Sequence, residues 1–311
     1  MSDGRPRNIL VIKLGALGDF AQAFGPFQAI RKHHPGDRIT LLTTAPFVEL
    51  ALQLPWFNAV AIDARPKALD LRGWQALRRM LRDGKFDRVY DLQTSDRSSG
   101  YRKLFLPGPQ PEWSGIAKGC SHPHRNPRRD SLHTIERQAE QLAEAGIAEV
   151  PAPDLGWLRD RLDGFDLPER FALIAPGGAA HRPAKRWPAA NFAALTRHLD
   201  ELGIASLLIG SGDEAGLHAE IMAAGTATSL AGRTSFDQVI SLGRRATLAV
   251  GNDTGPMHLV AMSGCPTLVL FSAESDPALC APRGGKVEVM RQDDLAGLSV
   301  EEVAAEVDGL L

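Results

Sequence analysis

Short apolar runs alternate with amphipathic segments along the first half of the chain. Continuous apolar runs of four or five residues are typical of parallel strands that are buried on both faces of a sheet. Such runs predict strands at Ile9–Lys13, Ile39–Thr43, Val60–Asp63 and Arg88–Asp91. Helical spacing follows them over Phe20–His33, Phe47–Leu52, Gly73–Arg82 and Thr134–Ala145. This alternation predicts a parallel sheet with right-handed crossover connections, whereas the Pro- and Gly-rich segment from Leu106 to Arg129 is predicted to be a loop.

The same alternation begins again after Pro151–Pro168, a proline-containing segment that we interpret as a linker. Strands are predicted at Phe171–Ala175, Ser206–Ile209, Leu248–Val250 and Thr267–Phe271. Helices are predicted near Ala189–Leu202, Asp213–Ala224, Phe236–Arg244, Pro256–Ser263 and Val300–Leu311. We therefore predict two α/β domains, residues 1–155 and 156–298, and a final helix over 299–311. A cleft between two such domains is the usual place for a ligand.

Length and composition restrict the class of protein. The 311 residues exceed what one hydrophobic core usually serves, which agrees with two domains. The 35 Lys and Arg residues against 37 Asp and Glu give a net charge of −2, so no chain-wide basic field recruits nucleic acid. The three cysteines share no Cys-x-x-Cys spacing, which argues against a disulfide framework. Because no stretch is long and apolar enough for a signal peptide or a membrane helix, we expect a cytoplasmic protein.

The first predicted strand ends in a glycine-containing loop, Gly15-Ala-Leu-Gly18-Asp19, which leads directly into a helix. Glycine permits tight turns and the close approach of a ligand to a helix N-terminus, where unpaired N–H groups favour anions. Asp19 has two interpretations: the N-cap of the helix, or a carboxylate at the edge of the sheet that acts as a base. Lys13 is interpreted as a strand-end lysine whose ammonium group reaches solvent.

A second glycine-containing loop follows the strand Phe171–Ala175. Gly177 and Gly178 allow backbone amides to approach phosphate oxygens, and Lys185 and Arg186 supply cations. A flexible loop with solvated charges is the alternative interpretation.

Glycines and polar residues also follow a third predicted strand, in Leu208-Ile-Gly-Ser-Gly-Asp-Glu214. Asp213 or Glu214 either accepts hydrogen bonds from ribose hydroxyls or caps the next helix. Glycines and polar groups at successive strand ends are typical of a nucleotide site.

The most informative motif is Val250-Gly-Asn-Asp-Thr-Gly-Pro-Met-His258, where a strand ends in small and polar residues and a helix begins at once. Asn252, Asp253 and Thr254 can each cap that helix, but capping needs only one of them. The others predict a polar site in which helix N–H groups face a phosphate or a sugar. His258 is either a core histidine or a ligand contact, and zinc is disfavoured because no second His or Cys lies at ligand spacing.

The segment from residue 97 to 129 is locally basic. It contains seven Lys and Arg residues against Glu112 alone, a local charge of +6. A solvated surface is one interpretation. A nucleic-acid site is disfavoured because only Tyr101 and Trp113 offer stacking surfaces, whereas an anionic acceptor or an anionic membrane surface fits the charge.

These motifs together resemble the heptosyltransferase family of lipopolysaccharide core synthesis, glycosyltransferase family nine. Ile9–Asp19 resembles the opening motif of the family, and Lys185–Pro188 resembles its sugar-nucleotide loop. Asn252–His258 together with Pro266–Phe271 is similar to its most specific signature. The resemblance covers nearly the whole chain. It implies an α/β GT-B fold, in which two Rossmann-like domains with parallel sheets face a central cleft, with the acceptor on the first domain and the sugar nucleotide on the second.

The resemblance also implies an inverting transfer and roles for individual residues. Asp19 matches the general base that deprotonates the acceptor hydroxyl, and Lys185 matches the lysine that offsets charge on the departing diphosphate. The implied donor-binding residues are Gly177, Gly178, Arg186, Glu214, Thr234, Ser235, Asn252, Asp253, Thr254, Gly255 and His258. The implied acceptor-binding residues are Gly18, Arg97, Arg102, Lys103, Arg125, Arg128 and Arg129. The final helix is implied to pack back on the first domain.

The expected substrates are an ADP-heptose-type sugar nucleotide and an anionic glycolipid acceptor of the lipopolysaccharide inner core. Contact with the cytoplasmic face of the inner membrane would be peripheral, and no nucleic-acid partner is expected. No cofactor is required; Mg²⁺ is compatible with the reaction but is not predicted to be obligatory. Where relatives often place Ser or Thr, this chain has Ala179-Ala180, so backbone amides, His181 or Arg182 would bind phosphate instead.

Two alternative functions differ from this one. One is a transferase of the same family that uses another nucleotide sugar or glycan acceptor. The other is a non-catalytic nucleotide-sugar or glycan-binding protein. Asp19 and Lys185 argue against the latter, because binding alone needs neither a base nor a partner for the leaving group.

Overall fold

The computed structural model describes residues 5–178 and 182–311, which belong to two compact units, Met1–Trp157 and Leu158–Leu311. The predicted boundary after residue 155 lies two residues before the observed one. The segment Ala179–His181, in the loop predicted to bind phosphate, lies outside the described residues. Within the described ranges, no helix is long and apolar enough to cross a membrane.

The first unit is built around a parallel sheet of six strands. Its strands are β1 (Asn8–Ile12), β2 (Arg38–Thr43), β3 (Ala59–Ile62), β4 (Arg88–Asp91), β5 (Glu112–Gly115) and β6 (His122–Pro123). Its helices are α1 (Leu17–Ala21), α2 (Phe24–His33), α3 (Val48–Gln53), α4 (Leu71–Asp83), α5 (Asp96–Gly100) and α6 (Thr134–Glu144). The strand order is β3-β2-β1-β4-β5-β6. The central strand β4 is buried throughout, as its pattern predicts.

Two predictions for the first unit are wrong in detail. The predicted helix Phe20–His33 is two helices, α1 and α2, joined at Gln22 and Ala23. The segment Leu106–Arg129 contains β5 and β6, which extend the sheet beyond β4. Its Pro and Gly content indicates a loop, but Trp113 is fully buried in the core, and this long-range packing outweighs the local signal.

The second unit repeats the same architecture. Its strands are β7 (Phe171–Ala175), β8 (Ala205–Leu208), β9 (Thr228–Ser229), β10 (Leu248–Asn252), β11 (Thr267–Phe271) and β12 (Val287–Arg291). Its helices are α7 (Ala189–Glu201), α8 (Ala215–Ala224), α9 (Phe236–Arg245), α10 (Gly255–Met262), α11 (Pro277–Cys280) and α12 (Val300–Leu310). The strand order is β12-β11-β10-β7-β8-β9, and every pair is parallel. All five residues of β7, β10 and β11 are buried.

The final helix belongs to the core of the second unit. Ser299 caps α12 by accepting a hydrogen bond from the Glu302 amide at 3.2 Å. Val303, Val307 and Leu310 pack into the same apolar cluster as the strand residues of this unit. The apolar face of this helix is thus buried in the second unit, and its packing on the first domain stays a prediction.

Each sheet has one point at which the strand order changes direction. In the first sheet this point lies between β1 and β4, and in the second it lies between β7 and β10. The carboxyl ends of two neighbouring strands diverge there, which leaves a crevice where ligands bind in folds of this type. We therefore expect functional side chains in the loops that follow β1, β4, β7 and β10.

Candidate active site

In the second unit, the carboxylate of Glu214 connects the loops that follow β7 and β8. Its Oε1 atom accepts a hydrogen bond from the Gly178 amide at 3.1 Å, and its Oε2 atom accepts one from the Ser211 amide at 2.8 Å. Gly177 has no space for a side chain because a Cβ atom there would overlap this carboxylate. Glu214 thus completes a capping box with Ser211, as one of its two interpretations predicted. The Gly178 amide reaches a phosphate only if its bond to Glu214 breaks.

Asn252, at the end of β10, fixes both ends of the connection between β7 and α7. Its Nδ2 group donates to the carbonyl oxygens of Pro176, at 2.7 Å, and Gly177, at 3.1 Å. Its Oδ1 atom accepts the Trp187 amide at 3.0 Å, and the residue has no exposed surface. The amide group is fully used inside the protein. In this structure Asn252 positions the connection between β7 and α7, and its direct contact with the donor stays a prediction.

Lys185 and Asp253 form an ion pair at the point where the second sheet changes direction. The Lys185 Nζ atom lies 2.5 Å from Asp253 Oδ2, and the Ser275 hydroxyl donates to the same oxygen at 2.6 Å. Both charged side chains are mostly buried, with exposures of 13% and 9%. A lysine ammonium has three N–H donors, so one bond to Asp253 leaves two for the oxygens of a bound anion.

The helix α10 begins beside this ion pair. Its N-cap residue is Thr254, whose side chain makes no capping hydrogen bond, and Gly255 is its first helical residue. Asp253 is held by Lys185 and Ser275, so the expectation that one of the three polar residues caps this helix by its side chain is wrong. The N–H groups of the first turn remain suited to an anion. His258 is buried one turn further along α10.

The other predicted donor contacts lie in neighbouring loops of the second unit. Ser235 is the N-cap residue of α9, and its hydroxyl donates to Asp237 Oδ1 at 2.6 Å, so it serves the helix start. Thr234 precedes it and is half-buried. Arg186 donates to the Gly178 carbonyl at 2.6 Å, which links the two ends of the connection between β7 and α7.

In the first unit, Asp19 is the third residue of α1. The N-cap position is taken by Ala16, so the interpretation of Asp19 as the N-cap is wrong. No hydrogen bond to the Asp19 carboxylate comes from any residue of the described chain. Gly15 has a φ angle of +120° and lies close to Phe47, while Gly18 immediately precedes Asp19 in the first turn of the helix. The half-buried carboxylate therefore holds no hydrogen-bond partner among the described residues, although it lies in the first turn of α1.

Two buried charged residues, Lys13 and Asp91, lie at the ends of β1 and β4. Lys13 is only 3% exposed and donates to the Leu92 carbonyl at 3.1 Å, so the prediction that its ammonium reaches solvent is wrong. Asp91 ends β4 and has no exposed surface. Burial raises the pKa of Asp91 to about 6, although hydrogen bonds from Ser98 and Thr94 and the Lys13 charge oppose this shift. Burial also lowers the pKa of Lys13, against the attraction of Asp19 and Asp91.

Sequence reasoning missed Asp91 and Ser275. Asp91 is a charged residue at the end of the predicted strand Arg88–Asp91, and this position is the signal that could have identified it. Ser275 lies in the polar segment Ala273-Glu-Ser-Asp276 that follows β11, which is a fourth strand end of the same unit. One further unpredicted contact links the loops after β1 and β4. The Leu14 amide donates a hydrogen bond to the Gln93 side chain at 2.8 Å.

Replacing Asp91 by Asn is expected to stabilise the protein at neutral pH. Because its pKa is raised to about 6 in the folded protein, the unfolded chain ionises first, and stability is lost as the pH rises from about 4 to about 6. The Asn variant avoids this loss, so its free energy of unfolding should exceed that of the wild type by up to about 3 kcal/mol near pH 7.5. The gain should vanish near pH 4.

Thermal unfolding at both pH values tests this expectation, with Asp63→Asn as the matched control. Asp63 also follows a strand of the first unit and is buried, but both its oxygens accept hydrogen bonds, from the Arg65 amide at 2.8 Å and the Tyr101 hydroxyl at 2.5 Å. In Asp91, Oδ2 has no partner among the described residues. We expect the control to be destabilised at both pH values. A stability difference for Asp91→Asn that does not change with pH would contradict the prediction.

The basic residues of segment 97–129 do not form a single exposed patch. Arg97 packs over the Trp74 ring at 5.3 Å and donates to the Tyr101 hydroxyl at 2.8 Å, which fixes it inside the first unit. Arg102 donates to the Lys118 carbonyl at 3.4 Å. Of the remaining predicted acceptor residues, three are exposed: Lys103, Arg125 and Arg128. The fourth, Arg129, is half-buried.

Among the predicted acceptor residues, Arg129 is the one whose charge interacts with buried Asp91. Its guanidinium donates to Asp130 at 2.8 Å, and one of its terminal nitrogens is buried without a partner among the described residues. Burial and the neighbouring Arg137 lower the pKa of Arg129, against the opposing charges of Asp130 and Asp91. Arg137, which sequence reasoning missed, also lowers the pKa of Lys13. Arg129 and Arg137 thus place positive charge close enough to Asp91 and Lys13 to act on them.

The two α/β units, each with polar loops at the change of strand order, have the fold of GT-B glycosyltransferases. Residues 74–305 match the model of "Glycosyltransferase family 9 (heptosyltransferase)", which covers well over half of the chain. The chain therefore belongs to glycosyltransferase family 9 and is a glycosyltransferase. Among the described residues, no three His, Cys, Asp or Glu side chains cluster in a way that would hold a metal ion.

Individual relatives agree with this assignment. Lipooligosaccharide heptosyltransferase 2 of Haemophilus influenzae is 32% identical over 91% of this chain and 88% of its own length. Lipopolysaccharide heptosyltransferase 2 of Escherichia coli K12 is 26% identical over 91% and 87%.

Solved structures share the fold. The structure of E. coli ADP-heptose lps heptosyltransferase II is similar with a TM-score of 0.82 at 24% identity, over 97% of this chain and 98% of that one. The family 9 glycosyltransferase of Veillonella parvula gives a TM-score of 0.83 at 19% identity, over 98% and 97%.

Proposed function

We propose that this glycosyltransferase moves a heptose from an ADP-heptose-type donor to an acceptor of the lipopolysaccharide inner core, with inversion at the anomeric carbon. The observation that carries the proposal is the Lys185–Asp253 pair, held at 2.5 Å where the second sheet changes direction, beside the start of α10. A cation and helix N–H groups at one strand end are suited to a diphosphate. The relatives named lipopolysaccharide and lipooligosaccharide heptosyltransferase 2 support the choice of sugar and acceptor.

In the proposed reaction, Asp19 removes the proton from an acceptor hydroxyl as its oxygen attacks the anomeric carbon of the donor. The bond between this carbon and the new oxygen forms while the bond to the phosphate oxygen breaks, and ADP leaves with the electron pair. Asp19 suits this task because its carboxylate has no structural hydrogen bond within the described chain. Lys185 and the first turn of α10 stabilise the negative charge that develops on the departing diphosphate.

We propose that the transfer needs no resident metal ion, because Lys185 supplies the positive charge that a divalent cation would otherwise bring to the diphosphate. Mg²⁺ is compatible with this site without being required. On this proposal, activity persists after treatment with EDTA.

The proposed partners are a nucleotide sugar and an anionic glycolipid. Arg129 and Arg137, whose charges act on Asp91 and Lys13, would attract the anionic groups of the acceptor towards the Asp19 side of the first unit. Because such an acceptor is a membrane lipid, we propose that the protein acts in the cytoplasm and contacts the cytoplasmic face of the inner membrane peripherally.

The release of ADP tests this function directly. The purified protein is incubated with ADP-heptose and a Kdo-bearing lipid A acceptor, and ADP is measured with and without acceptor. We expect acceptor-dependent release. If ADP-heptose binds but no ADP appears, other acceptors are tested next, and a failure with all of them would favour a nucleotide-sugar-binding protein. If another sugar nucleotide is used with a higher kcat/KM than ADP-heptose, the proposed donor is wrong, but the protein is still a glycosyltransferase.

A further inference from the structure

Three leucines of the first unit are exposed around α4. Leu69 and Leu71, at the start of α4, are 93% and 71% exposed, and Leu106 is 53% exposed. Arg78, in the middle of α4, donates hydrogen bonds to the carbonyl oxygens of Leu104, at 3.2 Å, and Leu106. These bonds hold Leu106 against the same helix. Exposed large apolar side chains on neighbouring segments indicate a contact site.

The backbone of the segment that carries these leucines is fixed. Asp70 caps α4 by accepting the Gly73 amide at 2.9 Å, and the Trp74 indole donates to the Lys67 carbonyl at 3.0 Å. Leu69 and Leu71 flank the capping residue, so their exposure is a consequence of an ordered turn. Folding itself gains nothing from leaving two leucines in water, where each loses the free energy of burial.

The same surface is strongly basic. Residues 65–83 contain six Lys and Arg residues against Asp70 and Asp83, a local charge of +4. Within the described part of the chain, none of these six cations forms an ion pair. Arg72, Arg79 and Arg82 are exposed and share one side of α4, because they are seven and three residues apart. The charge of these cations therefore has no ion-pair partner among the described residues of the unit.

We propose that this leucine–arginine face, formed by Leu69, Leu71, Leu106, Lys67, Arg72, Arg79 and Arg82, binds the surface of a bilayer that contains anionic lipids. Leucine side chains enter the boundary between head groups and acyl chains, while arginines contact lipid phosphates. The inference rests on the proposed function in one respect, since an acceptor that is a glycolipid lies in such a bilayer. The inference adds the surface by which the enzyme reaches this bilayer.

Other occupants fit this face less well. Two copies of the chain would bring together two surfaces of charge +4, and their mutual repulsion opposes a symmetric dimer. A nucleic acid would need exposed aromatic rings for stacking, but Trp74 is half-buried and packs with Arg97 at 5.3 Å. A soluble polyanion would make no use of the three leucines. A bilayer surface uses both the charge and the apolar side chains.

Vesicle co-sedimentation tests the proposal without any substrate. Vesicles of phosphatidylcholine alone are compared with vesicles of two parts phosphatidylcholine and one part phosphatidylglycerol. We expect binding to the anionic vesicles only, weakened at high salt. Arg79→Gln/Arg82→Gln should reduce binding about 30-fold, and Leu69→Asp/Leu71→Asp at least about tenfold.

Matched variants separate this face from general charge and surface effects. Lys32→Gln/Arg38→Gln removes two exposed cations from the C-terminal end of α2 and the start of β2, and Leu311→Asp changes an exposed leucine of the second unit. Both controls should bind like the wild type. The proposal is overturned if the wild type does not bind anionic vesicles, or if the controls lose as much binding as the variants of the leucine–arginine face.

A second assay distinguishes failure of this inference from failure of the proposed function. Transfer is measured with a delipidated, soluble acceptor and with the same acceptor chemistry on a lipid in vesicles. The variants of the leucine–arginine face should lose activity only on vesicles. Vesicle binding without any transfer would refute the proposed function and leave the membrane surface supported. Equal activity of variants and wild type on vesicles would refute the membrane surface.

Discussion

Replacing Asp19 by Asn is expected to reduce the transfer rate by about 10²–10⁴-fold while the affinity for ADP stays within about twofold of the wild type. The Asn side chain has nearly the same shape but cannot accept the proton of the acceptor hydroxyl. ADP is expected to bind only to the second unit, so its affinity should not sense the change. Single-turnover rates with saturating donor and acceptor measure the first quantity, and calorimetric titration with ADP measures the second.

A structural role for Asp19 makes different predictions. As an acidic residue in the first turn of α1, Asp19 stabilises the helix dipole by about 0.3–1 kcal/mol. Glu301→Gln is the matched control, because it removes an exposed acidic residue from the first turn of α12. Both variants should lower the melting temperature slightly, but only Asp19→Asn should lose transfer. Asp19→Glu should keep part of the activity. If Asp19→Asn loses ADP affinity and stability as severely as activity, the residue is structural and not the base.

The regular part of the fold was predictable because it is determined by local patterns. The predicted strands Phe171–Ala175 and Thr267–Phe271 match β7 and β11 at both ends, since these runs are apolar throughout and buried on both faces. The strands β6 and β9 have only two residues each, and β12 lies at the edge of its sheet and is only partly buried. Their pairing depends on neighbouring strands that are distant in sequence, and no local periodicity reports it.

The site was predictable as a set of strand ends but not as a set of contacts. The sequence places Lys185 and Asp253 in two glycine-containing loops, and their meeting at 2.5 Å follows from β7 and β10 being neighbours. The backbone contacts of Asn252 were not predicted because an amide that binds a ligand and an amide that binds backbone carbonyls have the same sequence pattern. Asp91 was missed because its burial depends on α6, whose Gln141 donates to the Asp91 carbonyl at 2.9 Å. Such tertiary contacts leave no mark on local sequence.

Replacing Lys185 by Ala is expected to weaken ADP binding by about 10–100-fold and to lower the rate of transfer further. A charge-assisted hydrogen bond of this kind contributes about 1.5–3 kcal/mol to binding. The change also leaves Asp253 without its cation, so a carboxylate that is only 9% exposed would repel the diphosphate. Because charge on the leaving group increases as the glycosidic bond breaks, the loss in kcat should come in addition to the loss in donor affinity.

A double-mutant cycle with Asp253→Asn separates attraction by Lys185 from repulsion by Asp253. If Lys185 contacts the diphosphate, Lys185→Ala should weaken ADP binding in the Asp253→Asn background as well, although by less, because the repulsion is absent there. Lys286→Ala is the matched control: this lysine of the same unit donates to the carbonyls of Gly309 and Leu310 at 3.1 Å, at the end of α12. It should lower the melting temperature and leave ADP affinity unchanged. Unchanged ADP affinity in Lys185→Ala would show that the lysine serves only to hold Asp253, and the positive charge at the leaving group would then have to come from Arg186 or the α10 N-terminus.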